Sequence, residues 1–140
     1  MNNSIKNVIA LLFSVCAAAI VAFTIIGLGH SIIPTPIGID TNDFESIKSN
    51  FHLFEFKHFI FPLLAHAIAT FVATYLVARF AASYKFWLAL ALGVVFTFAS
   101  ISLSLRIGHF NWIGIIEIGQ YIPISMVGYK FWQFTHSKTA

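Results

Sequence analysis

Charge is what this chain of 140 residues has least of. Asp, Glu, Lys and Arg make up 9% of it, against about 25% in an ordinary soluble domain, and 59% is hydrophobic against roughly 45–50%. Such a composition cannot clothe a water-facing surface. Cysteine is nearly absent too: Cys16 is the single one and lies inside an apolar run. That excludes an intrachain disulfide framework, a thiolate metal cluster and dithiol redox chemistry. The net charge is +3, yet Lys and Arg are scattered singly and form no basic stripe, so nucleic acid is not an expected partner. There is no G-x-S-x-G elbow, no Gly-rich phosphate loop and no H-E-x-x-H helix. No autonomous enzymatic activity is expected.

What the chain does have is long apolar runs. Four of them, 8–28, 59–77, 86–105 and 112–132, approach or exceed the ~20 residues that cross about 30 Å of hydrocarbon. In lipid only a helix satisfies its own backbone polar groups within one segment. The short connections at 78–85 and 106–111 make the last three runs antiparallel neighbours. The expected fold is all-α: a single transmembrane domain over 1–140, an up-and-down four-helix bundle integral to the membrane. The first run follows Lys6 and contains Ala17, Ala18 and Ala19, as a secretory signal would. It continues to Leu28, past the roughly 7–15 apolar residues of a signal sequence, so it is expected to remain as the first span. Val15 stands where lipid attachment at Cys16 would require a small residue.

The connection 29–58 is of another kind. Pro34, Pro36 and Gly38 forbid a helix at its start. Farther on, Asp43 or Asn42 can cap, Glu45 falls in a first turn, and Phe44, Ile47, Phe51 and Phe54 recur at helical spacing. A short amphipathic helix over 43–54 is expected there, lying at the membrane interface. Lys6, Arg79, Lys85, Lys130 and Lys138 fall on one side of the bundle, and Lys48, Lys57 and Arg106 on the other. The excess of cations points to both termini inside.

Ionisable side chains within apolar spans are costly and mark places to look for function. Glu117 lies about 7–8 Å into the fourth run and His66 about 10 Å into the second, from the helical rise. Ala65, Ala69 and Ala73 flank the stripe of His66, Thr70 and Thr74, so close helix approach should turn His66 inward. Arg106 ends the third run across a short turn from Glu117. The two can close an ion pair, or Arg106 can snorkel to the headgroups and leave Glu117 protonated or free to bind. Gln120 and Ser104 complete the expected polar cluster of His66, Arg106, Glu117, Gln120 and Ser104. Pro123 removes a backbone hydrogen bond one turn below, and a kink is expected there.

No resident cofactor is expected. His30, His58 and His109 are weak metal candidates, since a zinc site needs three or four converging ligands. Haem would need a second deep histidine facing His66.

Gly29-His30, the run Pro34-Thr35-Pro36-Ile37-Gly38-Ile39-Asp40 with an acidic amphipathic stretch after it, Asn111-Trp112, and Tyr121-Ile122-Pro123 with Gly128 together resemble a group of small four-span bacterial membrane proteins. The resemblance runs over most of the chain and implies the fold, the topology and a bacterial inner membrane. That group has no assigned activity, so it transfers no catalytic residue. Where its members often carry further prolines before the tryptophan, this chain has Gly108-His109-Phe110-Asn111. The expected role is an accessory or interaction subunit in contact with lipid and with other membrane subunits or a second copy. The alternatives are a proton- or cation-linked transporter or channel with an outward-facing polar cavity built on the polar cluster, and a haem or metal binder.

Overall fold

The structure is a computed structural model and describes residues 2–108 and 112–137. All regular structure among them is helical: α1 (Asn3–Ile32), α2 (Phe44–Ser49), α3 (Lys57–Phe80), α4 (Lys85–Ile107) and α5 (Trp112–Ser137), with a 3-10 turn at Phe51–Leu53. Three of these, α1, α3 and α4, are long and apolar enough to cross a membrane.

The four long helices form a bundle with α3 at its centre, packed against α1, α4 and α5, while α4 also packs against α5. The reason is side-chain size. Ala65, Ala69, Ala73, Thr70 and Thr74 put only small groups on the buried faces of α3, so neighbouring backbones come close. Gly128 of α5 sits where a Cβ would strike the Thr74 hydroxyl and come within 2.9 Å of the Phe71 carbonyl oxygen. A Cβ on Gly93 of α4 would lie 2.5 Å from Ser125 Oγ. The size order of a water-soluble core is thus reversed. Alanines dominate the interior, whereas Ile20, Phe23, Phe98 and Ile115 stand outside. Such an exterior is compatible with hydrocarbon rather than water.

Most of the enclosed hydroxyls bond carbonyls of their own helices. Ser14 donates to the Ala10 carbonyl at 2.6 Å, Thr70 to His66 at 2.7 Å, Thr74 to Thr70 at 2.8 Å and Thr97 to Gly93 at 2.8 Å. Ser125 donates to the Ile122 carbonyl at 2.7 Å beside Pro123, and α5 runs through that proline without interruption.

One end of the bundle is tied by polar contacts. Asn7 of α1 reaches the turn between α3 and α4, its Oδ1 accepting from the amides of Ala82 at 2.9 Å and Ser83 at 3.3 Å while its Nδ2 donates to Ser83 Oγ at 3.2 Å. Tyr84 closes that turn in the left-handed region, at φ 55°. Lys85 Nζ then donates to the Ala78 carbonyl at 2.7 Å and lies 4.5 Å from the centre of the Trp132 ring.

The helices extend beyond the spans expected from the sequence. Helix α1 continues to Ile32, so Gly29 and His30, expected in the loop, lie in its last turn. Gly29 is held there by Phe61, which leaves no room for a Cβ. The helix expected over 43–54 is shorter. Asp43 caps it by accepting from the Glu45 amide at 3.0 Å, but it stops at Ser49. Asn50 Nδ2 donates to the Ser46 carbonyl at 2.9 Å, a local bond that competes with continuing the helix. The Phe51, Phe54 and Phe59 rings cluster after the break, and α2 rests against α4.

Candidate functional site

His66 on α3 and Glu117 on α5 meet at 2.8 Å between imidazole Nδ1 and carboxylate Oε1. That length falls in the range of charge-assisted bonds. The alanine stripe of α3 turns His66 inward, and Glu117 shares its α5 stripe with Tyr121, Ser125 and Gly128, three of them buried against the neighbours. Four residues on from Glu117, the Tyr121 hydroxyl donates to the same Oε1 at 3.4 Å, a long bond. Ser100 of α4 stands beside the Tyr121 hydroxyl. The carboxylate thereby fixes the ring orientation of His66 and favours the tautomer with its proton on Nδ1.

The pair is not sealed. Its side chains keep 28% and 20% of their exposure, because they form the floor of a cleft of about 260 Å³. Ala18, Ala19 and Ala22 of α1 make one wall, and Phe96, Ala99 and Leu103 of α4 the other. Helix α1 packs mainly on α3, and its contact with α4 is slight, which leaves the gap between them. Val15, Ala19 and Ala99 are exposed at the mouth, so the cleft opens sideways, near the middle of both helices. A hydrogen-bonding pair under apolar walls is the usual chemistry of a small-molecule seat.

The expected cluster is assembled only in part. His66 and Glu117 come together, while Arg106 does not join them. Arg106 is exposed in the last turn of α4 and forms no ion pair among the described residues. Its position is one residue from the end of α4 and that of Glu117 five residues into α5, a difference of about 6 Å in depth at the helical rise. A cation is also favoured at a helix C-terminus. Ser104 is half-buried and does not line the cleft. Gln120 is half-buried beside the stripe, and its Nε2 is enclosed with no hydrogen-bond partner.

The weak metal candidates are dispersed. His30 is exposed, and His58 Nδ1 accepts the amide of Glu55 at 2.9 Å. His109 lies outside the described residues. No three of His, Cys, Asp and Glu converge among the described residues. The ring of His66 faces a carboxylate and not a second histidine, so a bis-histidine haem site is not formed at this pair. Sequence reasoning passed over Tyr121 as a site residue and, in its transporter alternative, expected a polar cavity open to the outside, not an apolar-walled cleft between α1 and α4. Its signal was present in the small residues Ala18 and Ala22 of α1, legible as a packing face but not as a face left uncovered.

No protein family, curated protein or solved structure matches the chain, so the site is read from its own geometry.

Proposed function

We propose that the chain crosses a bacterial inner membrane four times with both termini inside, and that it is a small non-enzymatic accessory subunit holding a membrane-soluble molecule at His66 and Glu117. The observation that carries this is the cleft with a polar floor, open on the side that faces lipid in a four-span arrangement. Helix α5 supports the count. It is packed against both α3 and α4, and Glu117 and Gln120 interrupt the apolar stretch between Ile113 and Val127. The α2 segment, with Phe44 exposed, then rests at the outer interface.

Two measurements test the proposal. With Cys16 replaced by Ala, single cysteines at Ile37→Cys and Ser137→Cys are to react with an impermeant maleimide from opposite sides of sealed vesicles. Reaction from the same side removes the fourth crossing. Native mass spectrometry from mild detergent is to show a retained lipophilic molecule that Ala99→Phe and Ala19→Phe, both at the mouth, displace. Equal retention by the filled variants refutes the seat. A proton-linked carrier is the second reading, favoured by the joined imidazole and carboxylate, and it requires proton flux in proteoliposomes that Glu117→Gln abolishes.

A further inference from the structure

Resting on that function, we infer that the molecule held in the cleft is a hydroxyl-terminated hydrocarbon, a membrane-soluble alcohol or phenol whose oxygen bonds His66 Nε2. The polar inventory of the floor leads there. Glu117 accepts from both His66 Nδ1 and Tyr121, and the Thr70 hydroxyl is committed to the His66 carbonyl. Among the described residues the His66 ring has no hydrogen-bond partner besides Glu117, it lies against the Tyr121 ring at 6.3 Å, and its side chain, which lines the cleft, keeps 28% of its exposure. That leaves His66 Nε2 to meet the occupant's head, with Glu117 Oε2 as a second acceptor beside the bonded Oε1.

The state of that nitrogen selects the head. When the ring is neutral with its proton on Nδ1, Nε2 accepts and the occupant must donate. When the ring is protonated and paired with Glu117, Nε2 donates and the occupant must accept. A hydroxyl does both. A ketone or ether serves only the second state, a carboxylate brings a second negative charge next to Glu117, and an ammonium carries three donors, more than His66 Nε2 and Glu117 Oε2 accept between apolar walls. Size selects the tail. The cleft, about 260 Å³, is smaller than the roughly 300–1,000 Å³ of a drug-sized pocket, so only the head and the first carbons are enclosed. The remainder leaves through the mouth at Val15, Ala19 and Ala99 and must itself be soluble in hydrocarbon.

The test uses the full chain, labelled with ¹⁵N-histidine, in phosphatidylcholine nanodiscs. The His66 ring signals are assigned by their loss in His66→Gln. Farnesol and 4-nonylphenol are added in separate arms, and the tighter of the two identifies an aliphatic or aromatic source of the hydroxyl. At least one is expected to move the Nε2 resonance while Nδ1 stays. Farnesyl methyl ether, farnesene, farnesoic acid and farnesylamine are expected to bind on the order of tenfold more weakly or worse. Ala99→Phe is to remove the farnesol response. Farnesene equal to farnesol, with both blocked by Ala99→Phe, overturns the hydroxyl assignment and leaves the seat standing. Tighter binding of the acid or the amine does the same. No binding by any probe to the unmutated protein overturns the assignment and the seat together.

Discussion

The bond between His66 and Glu117 can be weighed by a double-mutant cycle with Glu117→Met and His66→Phe, each removing the polar group and keeping most of the volume. Two magnitudes compete. A neutral hydrogen bond between membrane helices couples by about 0.6 kcal/mol on average, because the separated helices find other partners. A bond to a charged group contributes about 1.5–3 kcal/mol. Breaking a fully buried ion pair costs about 3–5 kcal/mol, but these side chains keep 28% and 20% of their exposure, so the full penalty does not apply. An ionised carboxylate on the His66 ring at 2.8 Å predicts a coupling of about 1.5–3 kcal/mol and a neutral pair one of about 0.6 kcal/mol, so the cycle separates the two. Glu117→Gln retains an acceptor without the charge and should bring the coupling with His66 down towards the neutral value. The assay is reversible unfolding in mixed micelles, followed by circular dichroism for the four proteins of the cycle. A coupling indistinguishable from zero would refute the geometry on which the site rests.

Gly128→Ala places a methyl group against the Thr74 hydroxyl and the Phe71 carbonyl, and should destabilise by about 1–3 kcal/mol in the same assay. Adding Thr74→Ala should recover only part of this, since the carbonyl stays in place. Asn7→Ala removes the acceptor of two amides at the partly exposed turn between α3 and α4 and should cost about 0.5–1.5 kcal/mol, seen as faster proteolysis at Ala82 and Ser83. Tyr84→Gly relieves a left-handed backbone in an exposed residue and should raise the melting temperature by an amount corresponding to about 1 kcal/mol.

The bundle was legible because the rules of hydrocarbon are strict. Apolar length predicted α1, α3 and α4, and the stripe of Ala65, Ala69 and Ala73 predicted which face of α3 is buried. The partner of Glu117 was not legible. Adjacency in sequence favoured Arg106, but the choice depends on which neighbour each face of α5 meets, and Glu117 faces the helix bearing His66. Arg106, a turn shallower, stays outside. The early end of α2 at Asn50 was hidden for a similar reason, since the apolar periodicity continues through Phe51 and Phe54 while one side-chain bond stops the helix. A polar cavity open to the outside was one expectation, but the sideways opening between α1 and α4 was not legible, because small residues read alike whether a neighbour covers them or not.

The pairing of α3 with α5 also orders biogenesis. Helix α5 carries an acid that by itself makes entry into hydrocarbon costly. Its partner His66 lies on α3, which is synthesised earlier, and α4 separates the two by one helical hairpin's length. On a four-span route α5 therefore meets a bilayer in which the imidazole is already waiting. Removal of His66 should then act during synthesis as well as in the finished fold, leaving a fraction of chains with their last helix stranded outside the membrane.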